Sequence, residues 1–132
     1  MNNTSVLLVD DDDIANFISE KVLRSLDFQN INTVNNGKQA YEYLQGNCPI
    51  LVFLDINMPI LDGFSFLKQT AEKDLCQKMH VIMLTSSNRK KDRDQANEFG
   101  TVIDYIEKPL TQEKVRQVLD KIKIPQPTVR SL

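Results

Sequence analysis

Short apolar runs alternate five times with longer stretches of helical periodicity along this chain, and that alternation restricts the fold more than any other feature. The runs lie near residues 5–9, 31–35, 50–54, 80–84 and 102–107, and the helical stretches near 13–26, 37–45, 63–73, 89–99 and 111–123. A strand covered on both faces reads as a near-continuous apolar run, as Val6-Leu7-Leu8-Val9 and Ile50-Leu51-Val52-Phe53-Leu54 do. Strands joined by helix-length connections pair in parallel, with crossover helices on both faces of the sheet. The expectation is an α/β domain over residues 1–123, followed by a tail at 124–132 that Pro125 and Pro127 keep extended. The second run, Ile31-Asn32-Thr33-Val34-Asn35, is the most polar and is predicted to lie at a sheet edge.

The helical stripes give a predicted core. Ile14, Phe17, Ile18, Val22 and Leu26 share one face of the first helix, and Val115, Val118, Leu119 and Ile122 one face of the last. Both faces are predicted to meet the sheet. The fourth helix opens on Arg89-Lys90-Lys91-Asp92-Arg93-Asp94 and offers only Ala96 and Phe99 as clear apolar contacts. It is expected to dock lightly and to be able to move.

Composition narrows the function. A net charge of -2 gives no long-range pull toward nucleic acid or an anionic membrane. The longest apolar run is far too short to cross a bilayer, and the N-terminal residues lack the pattern of a secretory signal. Cys48 and Cys76 have no metal-ligand spacing, so reduced structural thiols in a cytoplasmic protein are expected.

The chemistry concentrates at strand ends. Asp10 and Asp11 follow the first strand, Asp55 the third, Thr85 the fourth and Lys108 the fifth. Open parallel sheets bind ligands at the carboxyl ends of their strands. Two carboxylates about 4 Å apart repel by roughly 4 kcal/mol at an effective dielectric of 20, so three in one pocket ask for a cation. Oxygen ligands without His or Cys favour a hard ion that keeps open positions, which suits Mg2+. A lone carboxylate beside such an ion can act as a nucleophile and take a phosphoryl group. Alone, Thr85 reads as a turn cap and Lys108 as a solvated lysine; beside the acids, both read as donors to phosphoryl oxygens. His80, at a strand start, reads as a strand-edge residue, and Asp12 and Asp13 as caps of the first helix.

Val9-Asp10-Asp11, Leu54-Asp55-Ile56-Asn57-Met58-Pro59 with Asp62-Gly63, Leu84-Thr85-Ser86 and Lys108-Pro109 together resemble the receiver domain of two-component response regulators. The likeness covers roughly residues 5 to 123. It implies a flavodoxin-like three-layer sandwich with a parallel five-stranded sheet in the order 2-1-3-4-5. It also implies Asp55 as phospho-acceptor and Mg2+ held by Asp10, Asp11, Asp55 and the main-chain carbonyl of Asn57. Thr85 and Lys108 would bind the phosphoryl group, and the Lys108-Pro109 peptide would be cis. The donor would be a sensor histidine kinase or phosphotransfer protein. The output would be a downstream protein target met through the fourth helix, fifth strand and fifth helix, with Thr85 and Tyr105 as the switch. The chain would catalyse only its own phosphorylation and dephosphorylation. One departure stands out: the stretch from Gly100 to Tyr105 is one residue longer than the common receiver spacing.

Two other readings compete. A phosphorelay intermediate would use the same residues and pass the phosphoryl group onward. A haloacid dehalogenase-like phosphatase also uses Asp, Mg2+, Thr or Ser and Lys, but its nucleophile follows the first strand with a second Asp two positions on, where this chain has Asn57 after Asp55.

Overall fold

The computed structural model describes residues 2–86 and 89–122. Strands β1 (Asn2–Val9), β2 (Phe28–Val34), β3 (Leu51–Leu54), β4 (His80–Thr85) and β5 (Val102–Glu107) alternate with helices α1 (Asp13–Ser25), α2 (Gly37–Tyr43), α3 (Gly63–Glu72), α4 (Lys90–Ala96) and α5 (Gln112–Ile122). All five strands are parallel, in the order β2-β1-β3-β4-β5. The expected topology and the edge position of β2 are both borne out. The 124–132 tail lies outside the described residues.

Strand alternation divides the core into two layers. Val6, Leu8, Leu51, Phe53, Ile82 and Leu84 point to one side, where Leu23 of α1, Leu26 at its C-terminal cap, and Val115, Val118 and Leu119 of α5 cover them. Leu7, Val9, Val52, Leu54, Val81 and Met83 point to the other, against Ala40 and Leu44, against Phe66 and Leu67 of α3, and against Ala96 of α4. β3 has all four residues buried, as expected of a central strand covered on both faces. The extra residue before Tyr105 is taken up inside the sheet. Val81 pairs with Val102 but Ile82 with Asp104, which leaves Ile103 as a bulge in β5.

Three sequence expectations change. The α1 face is rotated: Ile14, Phe17 and Ile18 are 70%, 62% and 42% exposed, whereas Asn16, Ser19 and Leu23 are buried. Only Val22 and Leu26 of the predicted stripe meet the core. The cause lies at the helix start. Asp12 caps α1 by accepting from the Ile14 and Ala15 amides, and buried Asn16 donates to the Asp10 carbonyl at 3.0 Å. These bonds fix the helix phase with a polar edge toward the end of β1. Second, Cys48 and Cys76 are not free thiols; they form a disulfide with Cα atoms 5.3 Å apart. Leu51 pairs with His80 across the β3–β4 ladder, so the segments leading into these adjacent strands run together and bring the two cysteines within reach. Third, β2 begins at Phe28, before the predicted run, with that ring fully buried.

Helix α4 is docked as lightly as its composition implied. Ala96 is its only buried apolar residue, and the buried Asp92 pairs with Arg89 at 3.2 Å. Phe99, beyond its C-terminus, stacks on Phe64 with ring centroids 6.5 Å apart.

The rotated face of α1 is directly testable by urea denaturation. Leu23→Ala is expected to cost about 2–5 kcal/mol, because it opens a cavity at a fully buried site. Phe17→Ala is expected to change stability by about 0.5 kcal/mol or less. Equal losses from the two substitutions would restore the face read from the sequence.

Candidate functional site

The parallel ladder assembles the site. Val9 pairs with Leu54, so Asp10 and Asp55 leave β1 and β3 side by side. Each remains tied to its neighbouring strand by one more backbone bond, Asp55 N–H to the Val9 carbonyl at 3.0 Å and Asp10 N–H to the Val34 carbonyl at 3.2 Å. Thr85 ends β4 opposite Glu107, and the Lys108 amide donates to the Thr85 carbonyl at 2.9 Å. The Lys108-Pro109 peptide is cis, as expected.

The side chains converge. Asp10, Asp11 and Asp55 each offer a carboxylate oxygen, and these oxygens lie within 4.8 Å of one another. Asp10 and Asp55 are buried and Asp11 is exposed at the mouth. The Lys108 ammonium sits 2.6 Å from an Asp10 oxygen and 3.5 Å from an Asp55 oxygen. The other Asp55 oxygen accepts from the Ile56 amide at 2.9 Å. Thr85 is fully buried, and its hydroxyl hydrogen-bonds Asp55. Five residues picked out at strand ends therefore share one pocket.

The electrostatics follow from burial. Loss of solvent, then the Asp10 charge, push the Asp55 carboxyl above the ordinary aspartate value; Lys108, the Ile56 amide and Thr85 oppose this without cancelling it. Burial disfavours the Lys108 ammonium, but its hydrogen bond to Asp10 and the charges of Asp55 and Asp10 outweigh that and raise its pKa. One lysine thus pairs with two of three clustered carboxylates. A donor set of oxygens alone, close together and short of positive charge, fits a hard divalent cation.

Neighbouring residues shape this pocket. Asp62 caps α3 by accepting from the Ser65 amide at 2.8 Å. A Cβ on Gly63 would stand 2.3 Å from the Asp55 carbonyl oxygen, so only glycine lets α3 start this close to the acid. Between Asp55 and α3, Asn57 is exposed and Ile60 is 75% exposed. Ile60 has a positive φ of 72°, and the Leu61 amide donates to the Pro59 carbonyl at 2.7 Å around it. That is a γ-turn centred on a β-branched residue, a strained arrangement.

Tyr105 is half-buried on β5, and the Arg93 guanidinium of α4 lies 5.4 Å from its ring centroid. His80 begins β4, at the opposite end of that strand from Thr85. Asp12 and Asp13 occupy the cap and first turn of α1, as expected. Ser87 and Asn88, after Thr85, lie outside the described residues.

Sequence reasoning missed Asn16, whose amide holds the Asp10 carbonyl, and Asn35, whose amide donates to Asp13 at 2.8 Å. A signal existed for Asn16. Asn16, Ser19 and Leu23 recur at helical spacing, and read as one face they place polar residues beside the acids.

Comparisons with known proteins agree with this geometry. The response regulator receiver domain profile matches residues 6–120. The chemotaxis protein CheY-3 of Vibrio cholerae is 31% identical over 120 residues, covering 91% of this chain and 92% of that protein. Response regulator Rre1 of Synechocystis is 31% identical over 116 residues, 87% of this chain but 49% of that protein, so the chain spans about half of the longer relative. A two-component response regulator from Cytophaga hutchinsonii superposes with a TM-score of 0.85 at 30% identity, covering 93% of this chain and 98% of that one. The receiver domain of a Pseudomonas aeruginosa sensor histidine kinase, solved with a magnesium ion coordinated in its active-site cleft, has a TM-score of 0.78 at 25% identity, over 90% of this chain and 96% of that one.

The raised Asp55 pKa makes a prediction. Its charged form destabilises the metal-free fold once pH exceeds the unfolded value of about 4, and this cost is absent below it. Asp55→Asn is therefore expected to raise the metal-free melting temperature at pH 7, and to have little effect at pH 3. A lower melting temperature at pH 7 would show that the Lys108 contact outweighs the burial cost.

Proposed function

Because the chain belongs to the response regulator receiver domains of two-component signalling, we propose that it accepts a phosphoryl group on Asp55 and signals through a changed protein surface. The convergence of Asp10, Asp11, Asp55, Thr85 and Lys108 in one pocket carries this reading. Mg2+ would be held by Asp10, Asp11, Asp55 and the Asn57 carbonyl. When bound, it would offset charge on phosphoryl oxygens and on the three acids.

The residues divide the work. Asp55 is the nucleophile, its second oxygen steadied by the Ile56 amide. Lys108, already between Asp10 and Asp55, is placed to shift toward a phosphoryl oxygen. Thr85 donates its hydroxyl to another. Receiver domains take phosphoryl groups from histidine kinases or phosphotransfer proteins, and here the donor protein would dock on the exposed apolar face of α1. One groove supports that choice, because it is lined by Ile14, Ala15 and Ile18 together with Lys108, Pro109 and Leu110. A partner seated there reaches both the apolar face and the phosphoryl site.

The output would leave by α4, β5 and α5. Movement of Thr85 toward the phosphoryl group would release space for Tyr105, whose ring would leave the Arg93 guanidinium and free α4 to shift. Residues 1–123 would act as one receiver domain, in the cytoplasm, with relay of the phosphoryl group as the second use of the same site.

Incubation with acetyl phosphate and Mg2+ is expected to label the wild type and leave Asp55→Asn unlabelled; equal labelling removes the acceptor from Asp55. Millimolar Mg2+ is expected to raise the wild-type melting temperature by binding the folded state only, and an unchanged curve would sink the metal assignment. In a pull-down with beryllofluoride, a phosphoryl mimic, Thr85→Ala is expected to lose mimic-dependent partner binding. Retained dependence would break the Thr85–Tyr105 relay.

A further inference from the structure

The Cys48–Cys76 bond lies at the far end of β3 from Asp55, and its two sulfurs sit in unlike surroundings. Cys48 is exposed, in the segment entering β3. Cys76 is half-buried in the α3–β4 turn, its Sγ 3.5 Å from the Asn47 carbonyl and 4.0 Å from the Leu44 carbonyl. An open groove beside the pair is lined by Pro49, Ile50, Lys78 and Met79, and Ile50 is 43% exposed. The turn itself is conformationally costly. Asp74 and Cys76 have φ of 53° and 48°, left-handed values that residues with a Cβ rarely adopt.

We propose that Cys48–Cys76 is a second reactive site, a reversible thiol–disulfide exchange centre whose substrates are dithiols and disulfides. A thiolate of the dithiol attacks the accessible Cys48 sulfur. The Cys48–Cys76 bond breaks, and Cys76 leaves as a thiolate and takes a proton. The second thiol of the dithiol then attacks its own sulfur in the mixed disulfide and releases Cys48. Two electrons pass to the protein, the two thiol protons end on Cys48 and Cys76, and the dithiol leaves as its disulfide. The reduced state is accommodated where it forms, since the Cys76 S–H can donate to the Asn47 carbonyl already beside it. Reoxidation by a disulfide runs the same steps backwards, with exposed Cys48 as the nucleophile.

The bond joins positions 28 apart in sequence, and the loop it closes contains Asp55 and the whole of α3. Opening it restores freedom to the unfolded chain and lets the left-handed turn relax. The reduced protein is therefore less stable, with α3 freed at its C-terminal end.

Alkylation with iodoacetamide under native conditions, followed by intact mass measurement, tests this. Protein equilibrated with oxidised glutathione is expected to take no label. After dithiothreitol without denaturant it takes two, and after return to oxidised glutathione none. Over the same cycle the melting temperature is expected to fall by about 10 °C and recover. Cys48→Ser is expected to melt with the reduced wild type and to ignore dithiothreitol. Two labelled thiols in oxidised glutathione, a bond that yields only in denaturant, or a Cys48→Ser protein still sensitive to dithiothreitol would each overturn the proposal. None of these readings depends on Asp55 as acceptor.

Discussion

Three carboxylates crowded against one ammonium set the terms for the rest of this fold. Their oxygens lie inside 4.8 Å of each other, and the like charge of Asp10 helps to push the Asp55 carboxyl above its ordinary pKa. Side-chain flexibility would relieve that repulsion by letting the acids drift apart. The sheet prevents it. The backbone ladder continues one residue past the ends of β1, β3 and β5, so Asp10, Asp55 and Lys108 are still hydrogen-bonded to neighbouring strands when their side chains enter the pocket. Parallel pairing thus confines like charges that would otherwise separate, and the stored repulsion becomes affinity for a cation that offsets it.

The same scaffold divides rigid from movable parts. β3 and β4 are buried from both sides and anchor two cores. Helix α4, in contrast, is held by Ala96, by the buried Asp92 and by the Arg93–Tyr105 contact. Polar and cation–π contacts near a surface are each weak and respond to local charge. A helix held this way can shift without opening the apolar core, which is the property a switch surface needs.

What the sequence made legible and what it hid have a common physical basis. Parallel strands were readable because buried strands are written as contiguous apolar runs, the edge position of β2 because its run is the most polar, and the meeting of Asp10, Asp11, Asp55, Thr85 and Lys108 because ligands gather at the carboxyl ends of such strands; the strand order itself came from the receiver resemblance. The phase of α1 was misread because apolar periodicity is blind to a polar anchor: Asn16 and Ser19 face inward at the site, which no hydrophobic count reveals. The disulfide was hidden for a different reason. Its two cysteines are 28 residues apart, and only the β3–β4 register brings them together. The strain at Ile60 was equally invisible, since nothing about an isoleucine announces a positive φ.

The misread face of α1 is itself informative. Near the acidic pocket the inner side of the helix must satisfy the Asp10 carbonyl and sit close to charged groups, so it carries Asn16 and Ser19 where a core helix would carry Leu or Ile. That displaces nothing outward by necessity; the outward positions could have been Lys or Glu at no structural cost. Instead they are Ile14, Phe17 and Ile18, a contiguous apolar surface on one helix face. Ile14 and Ile18 line the same groove as Lys108, and apolar side chains that the fold does not need are accounted for when a partner covers them. The site and its docking face are then one design. Asn16 turns inward to hold the Asp10 carbonyl, and in the proposed function the outward apolar residues would meet the phosphoryl donor.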